Sequence, residues 1–463
     1  MLVPFFLEQT QGADLMVFSS VIFLFRFLPL ALAVYYIIPS RLKNTAVFIM
    51  SLLFYSWSEM RFIPLLLICT AVNFLLSLRA KKRYLIASMI FNISILAFFK
   101  YTDFLLENIN LIFGTYLPVI SISLPLGISF YTFQNMSYQI DVYRGNVLPE
   151  KNIISFGAYV TMFPQLIAGP IVRYSEISRE LNNSRRISLT NIQEGILLFI
   201  MGLGSKVLIA DNFDLLWTAV SEKGFSAVST PLAWMGVLAF ALQIYFDFSG
   251  YSLMAIGLGR MMGFHFPQNF NYPYISRSVT EFWRRWHMTL GQWFREYVYI
   301  PLGGSRCNSA RQYLNIFIVW ALTGLWHGAS WNFVLWGLYF CVFLCIEKAF
   351  LLRHLEKIRV ISHLYLLLLV VVSWALFAVE DFSQLWELLA RMFIFSGGDD
   401  WVYYIRNYGA TFIISASLAT PLLKILRGKL GKIATWCFAA VILFLSTAYM
   451  VDATHSPFLY FRF

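Results

Sequence analysis

Apolar sequence runs almost the length of this chain, cut into about fourteen stretches by short joints of charge, proline or glycine. They fall at about 17–38, 45–57, 62–78, 84–99, 104–119, 122–140, 153–170, 191–209 and 231–257, then 313–327, 331–350, 361–379, 407–423 and 433–450. Only 13% of the 463 residues are charged, about half the share in a soluble domain. In hydrocarbon a backbone must satisfy its own polar groups, so such stretches are helical. The expected fold is an all-α integral membrane protein: a polytopic helical bundle of about 11–14 membrane-embedded helices. Several runs are shorter than the roughly 20 residues of a full crossing, so re-entrant or interfacial elements are expected among them.

Because a bundle in lipid needs no separate water-facing domains, one integral domain is expected over 16–463. Residues 1–15 read as an N-terminal extension before the natural start, since Met16 opens the first long run. That run is too long for a signal-peptide core and lacks a small-residue cleavage site. The stretch 258–312 is the least membrane-like and reads as a cytoplasmic-side interfacial or re-entrant segment, and 452–463 as an outward-facing aromatic tail.

Charge sets the orientation. Arg79, Lys81, Lys82 and Arg83 form one acid-free joint, and Lys424, Arg427, Lys429 and Lys432 another, so both are placed inside. The acids Asp211, Asp214 and Glu222 mark an outer loop, as do Glu380, Asp381, Glu387, Asp399 and Asp400. Alternating crossings then put both termini outside. The net charge of +11 is accounted for by the basic inner joints, without nucleic acid. The five cysteines show no CxxC and no Cys/His ligand spacing, so no metal site or disulfide framework is expected.

Two histidines each follow a tryptophan: His287 after Trp286, and His327 after Trp326 at the close of an apolar run. An ionisable ring at membrane depth is costly enough to stand as a functional hypothesis. A helix beginning near Tyr313 would carry His327 about 21 Å along, short of the far side of a core about 30 Å thick. Gly324, Gly328 and Ser330 could break the helix there. A hydrogen-bonded packing role remains the other reading, and spacing does not name a reaction. Asp247, with Lys206 in a neighbouring run, reads first as a structural polar network, and Asn269, Asn271 and Gln134 as candidate lining of a path. Arg277, Arg284, Arg285 and Arg295 could attract phosphates or an acidic protein, or serve as an interfacial positive belt.

The segment 268–306, including Trp286, His287 and the run Ile300-Pro301-Leu302-Gly303-Gly304-Ser305-Arg306, together with Gly324-Leu325-Trp326-His327-Gly328, resembles the membrane-bound O-acyltransferase (MBOAT) family. The likeness extends to 16–20, 164–170, 245–251 and 456–463, and is nearest to the branch containing the membrane component of bacterial alginate O-acetyltransferase. It implies that His327 is the family's essential histidine and His287 its second motif position. His327 would act as general base on an acceptor hydroxyl attacking an acyl thioester, work suited to an imidazole with its ordinary pKa of about 6.5. His327 as the acylated group remains open. His287 would orient either substrate or polarise the thioester carbonyl.

The resemblance further implies a central funnel open to both sides, with acetyl-CoA or another acyl thioester as donor substrate and no permanently bound cofactor. It implies a secreted or membrane-anchored SGNH-hydrolase-like acetyltransferase as partner, and residence in the bacterial cytoplasmic membrane. Tyr460, flanked by Phe458, Phe461 and Phe463, is a candidate acyl relay to that partner. The activity expected is O-acetylation of an extracellular or cell-wall polysaccharide. D-alanyl transfer to teichoic acid and, in a different class, a polysaccharide or lipid-sugar transporter are the competing readings. A transporter of that kind would show paired repeats, which the sequence lacks.

Overall fold

The computed structural model describes residues 16–167, 169–183, 185, 187–355, 357–422 and 431–452. The extension at 1–15, the basic residues Lys424, Arg427 and Lys429, and the tail carrying Tyr460 lie outside them. Among the described residues there are helices, turns and loops, and no strand. Seven helices are long and apolar enough to cross a membrane, at Ser40–Ser77, Lys82–Phe113, Leu189–Glu222, Thr230–Met261, Trp331–Leu355, Arg359–Ala378 and Lys432–Asp452. The protein is therefore a multi-pass all-α membrane protein.

The chain divides into two compact units. The first takes residues up to Phe199 and Ser252–Pro267. It holds α1 (Leu28–Ile37), α2 (Lys43–Glu59), α3 (Ile63–Ser77), α4 (Lys82–Phe113), α5 (Ile128–Arg144), α6 (Ile153–Thr161) and α7 (Tyr174–Asn182). Side-chain amides lock α3 to α4. Asn73 donates to Asn92 Oδ1 at 3.1 Å, Asn92 donates back to Asn73 Oδ1 at 2.8 Å, and Ser88 adds a bond of 2.7 Å to the same oxygen. Polar bonds of this kind between membrane helices contribute about 0.6–2 kcal/mol each.

Two expected breaks are absent. The runs 84–99 and 104–119 are one helix to Phe113, because Asp103 is used rather than solvated: its carboxylate accepts from Ile120 N at 3.2 Å and Ile122 N at 2.8 Å. The acids at 211, 214 and 222 are helical too. Helix α8 (Leu189–Gly204) continues through a π-turn at Ser205–Ala210 into α9 (Asp211–Glu222), so these acids do not form the loop expected. Lys206 Nζ lies 2.6 Å from Asp211 and 3.0 Å from Asp247, which removes the charge signal for a break.

The second unit takes Ile200–Tyr251 and the chain from Gln268. After α10 (Thr230–Met261), whose last turns belong to the first unit, come α11 (Val279–Arg285), α12 (Met288–Phe294), α13 (Ser309–His327), α14 (Trp331–Ile346) and α15 (Arg359–Ala378). Helices α16 (Phe382–Phe393), α17 (Asp400–Leu418) and α18 (Lys432–Asp452) follow. Of the acids near 380–400, Glu380 lies in the α15–α16 connection, Asp381 caps α16 by accepting from Gln384 N at 2.8 Å, Glu387 lies within α16, and Asp399 precedes Asp400 at the start of α17.

Helices α13 and α14 touch backbone to backbone. A Cβ on Gly324 would stand 2.4 Å from Phe333 O, and one on Gly337 2.4 Å from Trp320 O. Only glycine permits that approach, the small-residue packing typical of helices in lipid.

Candidate active site

Helix α13 begins at a conventional cap, Asn308 Oδ1 accepting from Arg311 N at 2.9 Å. It stops at His327 because Gly328 turns the backbone out to an extended conformation, φ −163° and ψ 158°. The expected break is therefore at Gly328, while Gly324 stays helical and serves contact with α14. His327 is 4% exposed. Aromatic rings surround it: Trp326 at 5.0 Å between centroids, Trp336 at 4.9 Å and perpendicular, and Phe377 at 5.5 Å.

His287 reaches the same neighbourhood from a different element. It sits between α11 and α12 in left-handed backbone, φ 43°, a conformation that costs a non-glycine residue about 1–3 kcal/mol and persists where the surroundings impose it. Here Asn269 imposes it. Asn269 O accepts from Met288 N at 2.9 Å, and Asn269 Oδ1 accepts from Thr289 N at 3.3 Å and Thr289 Oγ1 at 3.0 Å. His287 Nδ1 lies 3.1 Å from the same Oδ1. Since a backbone N–H already points at that atom, it is the oxygen, and Nδ1 must be the donor. The Nε2 atom of neutral His287 is then an acceptor only. Burial pushes this imidazole down to about 3, so it stays neutral through the physiological range.

Trp326 lies against both histidines, 5.9 Å from the His287 ring and 5.0 Å from that of His327. Trp286 stacks on Phe282 at 5.5 Å and meets Trp374 at 4.9 Å, and Trp374 in turn stacks on Trp336 at 6.3 Å. A short hydrogen-bond chain fixes the cage: Trp374 Nε1 donates to Tyr274 Oη at 3.1 Å, and Tyr274 Oη donates to Ala241 O at 2.5 Å.

The segment bearing His287 is anchored by a residue that sequence reasoning passed over. Glu347, 1% exposed, accepts from Val279 N at 2.6 Å, Thr280 N at 2.9 Å, Thr280 Oγ1 at 2.7 Å and Tyr365 Oη at 3.3 Å. Ser278 Oγ takes Glu281 N at 3.0 Å. Three of the four orphan amides that open a helix are thereby satisfied at α11. The available signal was an acid closing an apolar run. Trp336, Trp374 and Phe377 were also missed, because an aromatic within an apolar run reads equally well as lipid-facing.

Each of the other candidates has its own setting. Asn271 is exposed, its N–H bonded to Arg285 O at 2.9 Å and its carbonyl to the Arg285 guanidinium at 3.2 Å, so it braces the loop. Arg285 also pairs with Glu281 at 3.0 Å, while Arg284 and Arg277 are exposed. Asp247 joins Lys206 and Asp211 in a buried ionic network, with Gln243 donating to Asp214 at 2.7 Å beside it. Gln134 is buried in the first unit.

Comparison with known proteins gives a consistent answer. The model of the membrane-bound O-acyltransferase family matches residues 148–379. The chain is 40% identical to the probable alginate O-acetylase AlgI of Azotobacter vinelandii over 425 residues, 88% of this chain and 83% of that one. It is 34% identical to the peptidoglycan O-acetyltransferase of Helicobacter pylori over 424 residues, 81% of this chain and 80% of the relative. Its likeness to the teichoic acid D-alanyltransferase of Streptococcus thermophilus is weaker, 30% over 246 residues and 49% of this chain.

Proposed function

The chain belongs to the membrane-bound O-acyltransferase family, and from that premise we propose that it is an O-acetyltransferase that moves an acyl group from a cytosolic thioester across the membrane to modify an extracellular or cell-wall polysaccharide. The observation that carries this reading is the convergence of His327, at the end of α13, and His287 on the same ring, Trp326.

His327 is the general base. The acceptor hydroxyl oxygen attacks the acyl carbon as His327 takes the hydroxyl proton, the C–S bond breaks, and the thiolate leaves with the proton returned by the imidazolium. With its N–H directed at Asn269, His287 orients a substrate O–H or N–H through its Nε2 lone pair; this geometry supports orientation over polarisation of the thioester carbonyl. The enclosing rings of Trp326, Trp336 and Phe377 keep the His327 imidazole away from bulk water.

The donor is acetyl-CoA or another acyl thioester, and the exposed Arg277 and Arg284 are suited to its phosphates or to an acidic carrier. The protein works in the bacterial cytoplasmic membrane with both termini outside. A secreted or membrane-anchored SGNH-hydrolase-like partner completes esterification of the sugar, receiving the acyl group through Tyr460. The greater coverage and identity of the O-acetyltransferase relatives favour acetyl over D-alanyl transfer.

The test is mass spectrometry of envelope polymers from cells carrying wild type or His327→Ala. The acetyl ester should vanish with the variant present at normal level in the membrane; substantial residual ester on a stable variant refutes the base assignment. Normal acetylation by Tyr460→Phe removes the relay alone.

A further inference from the structure

We propose that the indole N–H of Trp336 is the hydrogen-bond donor that receives the negative charge developing on the thioester carbonyl oxygen during acyl transfer. The assignment rests on the reading of His327 as base, and adds a catalytic residue to it.

Trp336 is wholly buried, and its Nε1 makes no hydrogen bond. Buried tryptophans ordinarily find an acceptor, as Trp374 does at Tyr274 Oη (3.1 Å) and Trp234 at Met392 O (2.7 Å). Leaving such a donor unsatisfied costs about 1–3 kcal/mol. The rings around Trp336 are Trp283, Trp320, Phe340, Phe377 and Trp374, which offer no oxygen acceptor. The imidazole of His327 completes the enclosure, perpendicular to the indole at 4.9 Å.

The placement is rigid. Trp336 precedes Gly337, whose Cα face lies against Trp320 O, and Gly324, one turn before His327, lies against Phe333 O. The two backbones therefore fix indole and imidazole relative to one another before substrate arrives. A preorganised donor in a water-poor site is the arrangement that stabilises an oxyanion most effectively.

In the step, the hydroxyl oxygen bonds to the acyl carbon, His327 holds the proton, and the carbonyl π-electrons move onto oxygen, where the Trp336 N–H meets them. Collapse restores the carbonyl, expels the thiolate and releases the indole. Trp283, also an indole whose buried Nε1 lacks an acceptor, stands edge-on to Trp336 at 5.5 Å, but it is Trp336 that adjoins the imidazole.

Trp336→Phe keeps an aromatic ring and deletes the N–H. Membrane vesicles from cells carrying wild type, Trp336→Phe or His327→Ala are supplied with labelled acetyl-CoA, and incorporation is followed over a range of donor concentration. The expected result is a fall in kcat of about 10²–10³-fold, the effect of losing one oxyanion donor, with KM for acetyl-CoA within about threefold. With fluoroacetyl-CoA, whose oxyanion needs less help, the deficit should shrink at least about fivefold. A merely structural role would lower both donors' rates equally. A folded Trp336→Phe protein with wild-type kcat, or with equal deficits for the two donors, overturns the assignment. If His327→Ala retains activity, it is the base assignment that fails instead.

Discussion

Replacing Glu347 by glutamine changes one atom and should loosen the element that carries His287. Oε1 accepts from Val279 N and Tyr365 Oη, and Oε2 from Thr280 N and Thr280 Oγ1. Whichever way a glutamine amide turns, its NH₂ faces two donors. The hydroxyl of each pair can rotate to accept, but the backbone N–H cannot. One charge-assisted bond, worth about 1.5–3 kcal/mol, is lost and one amide is orphaned in a dry site. We expect about 2–4 kcal/mol of local destabilisation in Glu347→Gln, and only about 1 kcal/mol in Thr280→Ala, which removes a single hydroxyl bond. The assays are detergent-solubilised melting temperature and envelope acetyl-ester content. Both should fall in the order wild type, Thr280→Ala, Glu347→Gln. Wild-type melting and acetylation in Glu347→Gln would refute the idea that this carboxylate holds the segment in place.

Gly324→Ala should cost about 2–3 kcal/mol or more, since its Cβ would stand 2.4 Å from Phe333 O and neither backbone can move freely; unchanged thermal stability would contradict the backbone contact. For His287, burial lowers the folded pKa to about 3 against about 6.5 unfolded. Its contribution to stability is therefore full above pH 6.5 and declines as pH falls from there toward 3, where the unfolded state alone binds the proton. Melting scans between pH 7.5 and 5 should show an acid-side decline that is smaller in His287→Gln; identical slopes would contradict a neutral buried imidazole.

Helix type was legible wherever apolar length alone decided it, as for 231–257 within α10 and 361–379, which overruns α15 by one residue. Boundaries failed where charge was misread as solvent exposure. Asp103 caps a neighbouring loop and Asp211 pairs with Lys206, so the helices run through both positions. The two Trp-His pairs do come together around Trp326, yet the union of His287 with Asn269, 18 residues apart, depends on reversals at Tyr272 and His287 in left-handed backbone. Neither residue is a glycine, so composition gave no warning. Glu347 and Trp336 were hidden for a related reason: their roles are set by what they face, and an apolar run shows only what surrounds them along the chain.

The α13–α14 hairpin closes through the short turn 328–330, and its helices meet backbone to backbone at Gly324 and Gly337. Partners so near in the chain find each other with little loop entropy to overcome. His327 and Trp336 can thus be in register while later helices are still leaving the ribosome, so the geometry of the two rings is inherited from an early folding event and leaves final assembly to close the cage around them.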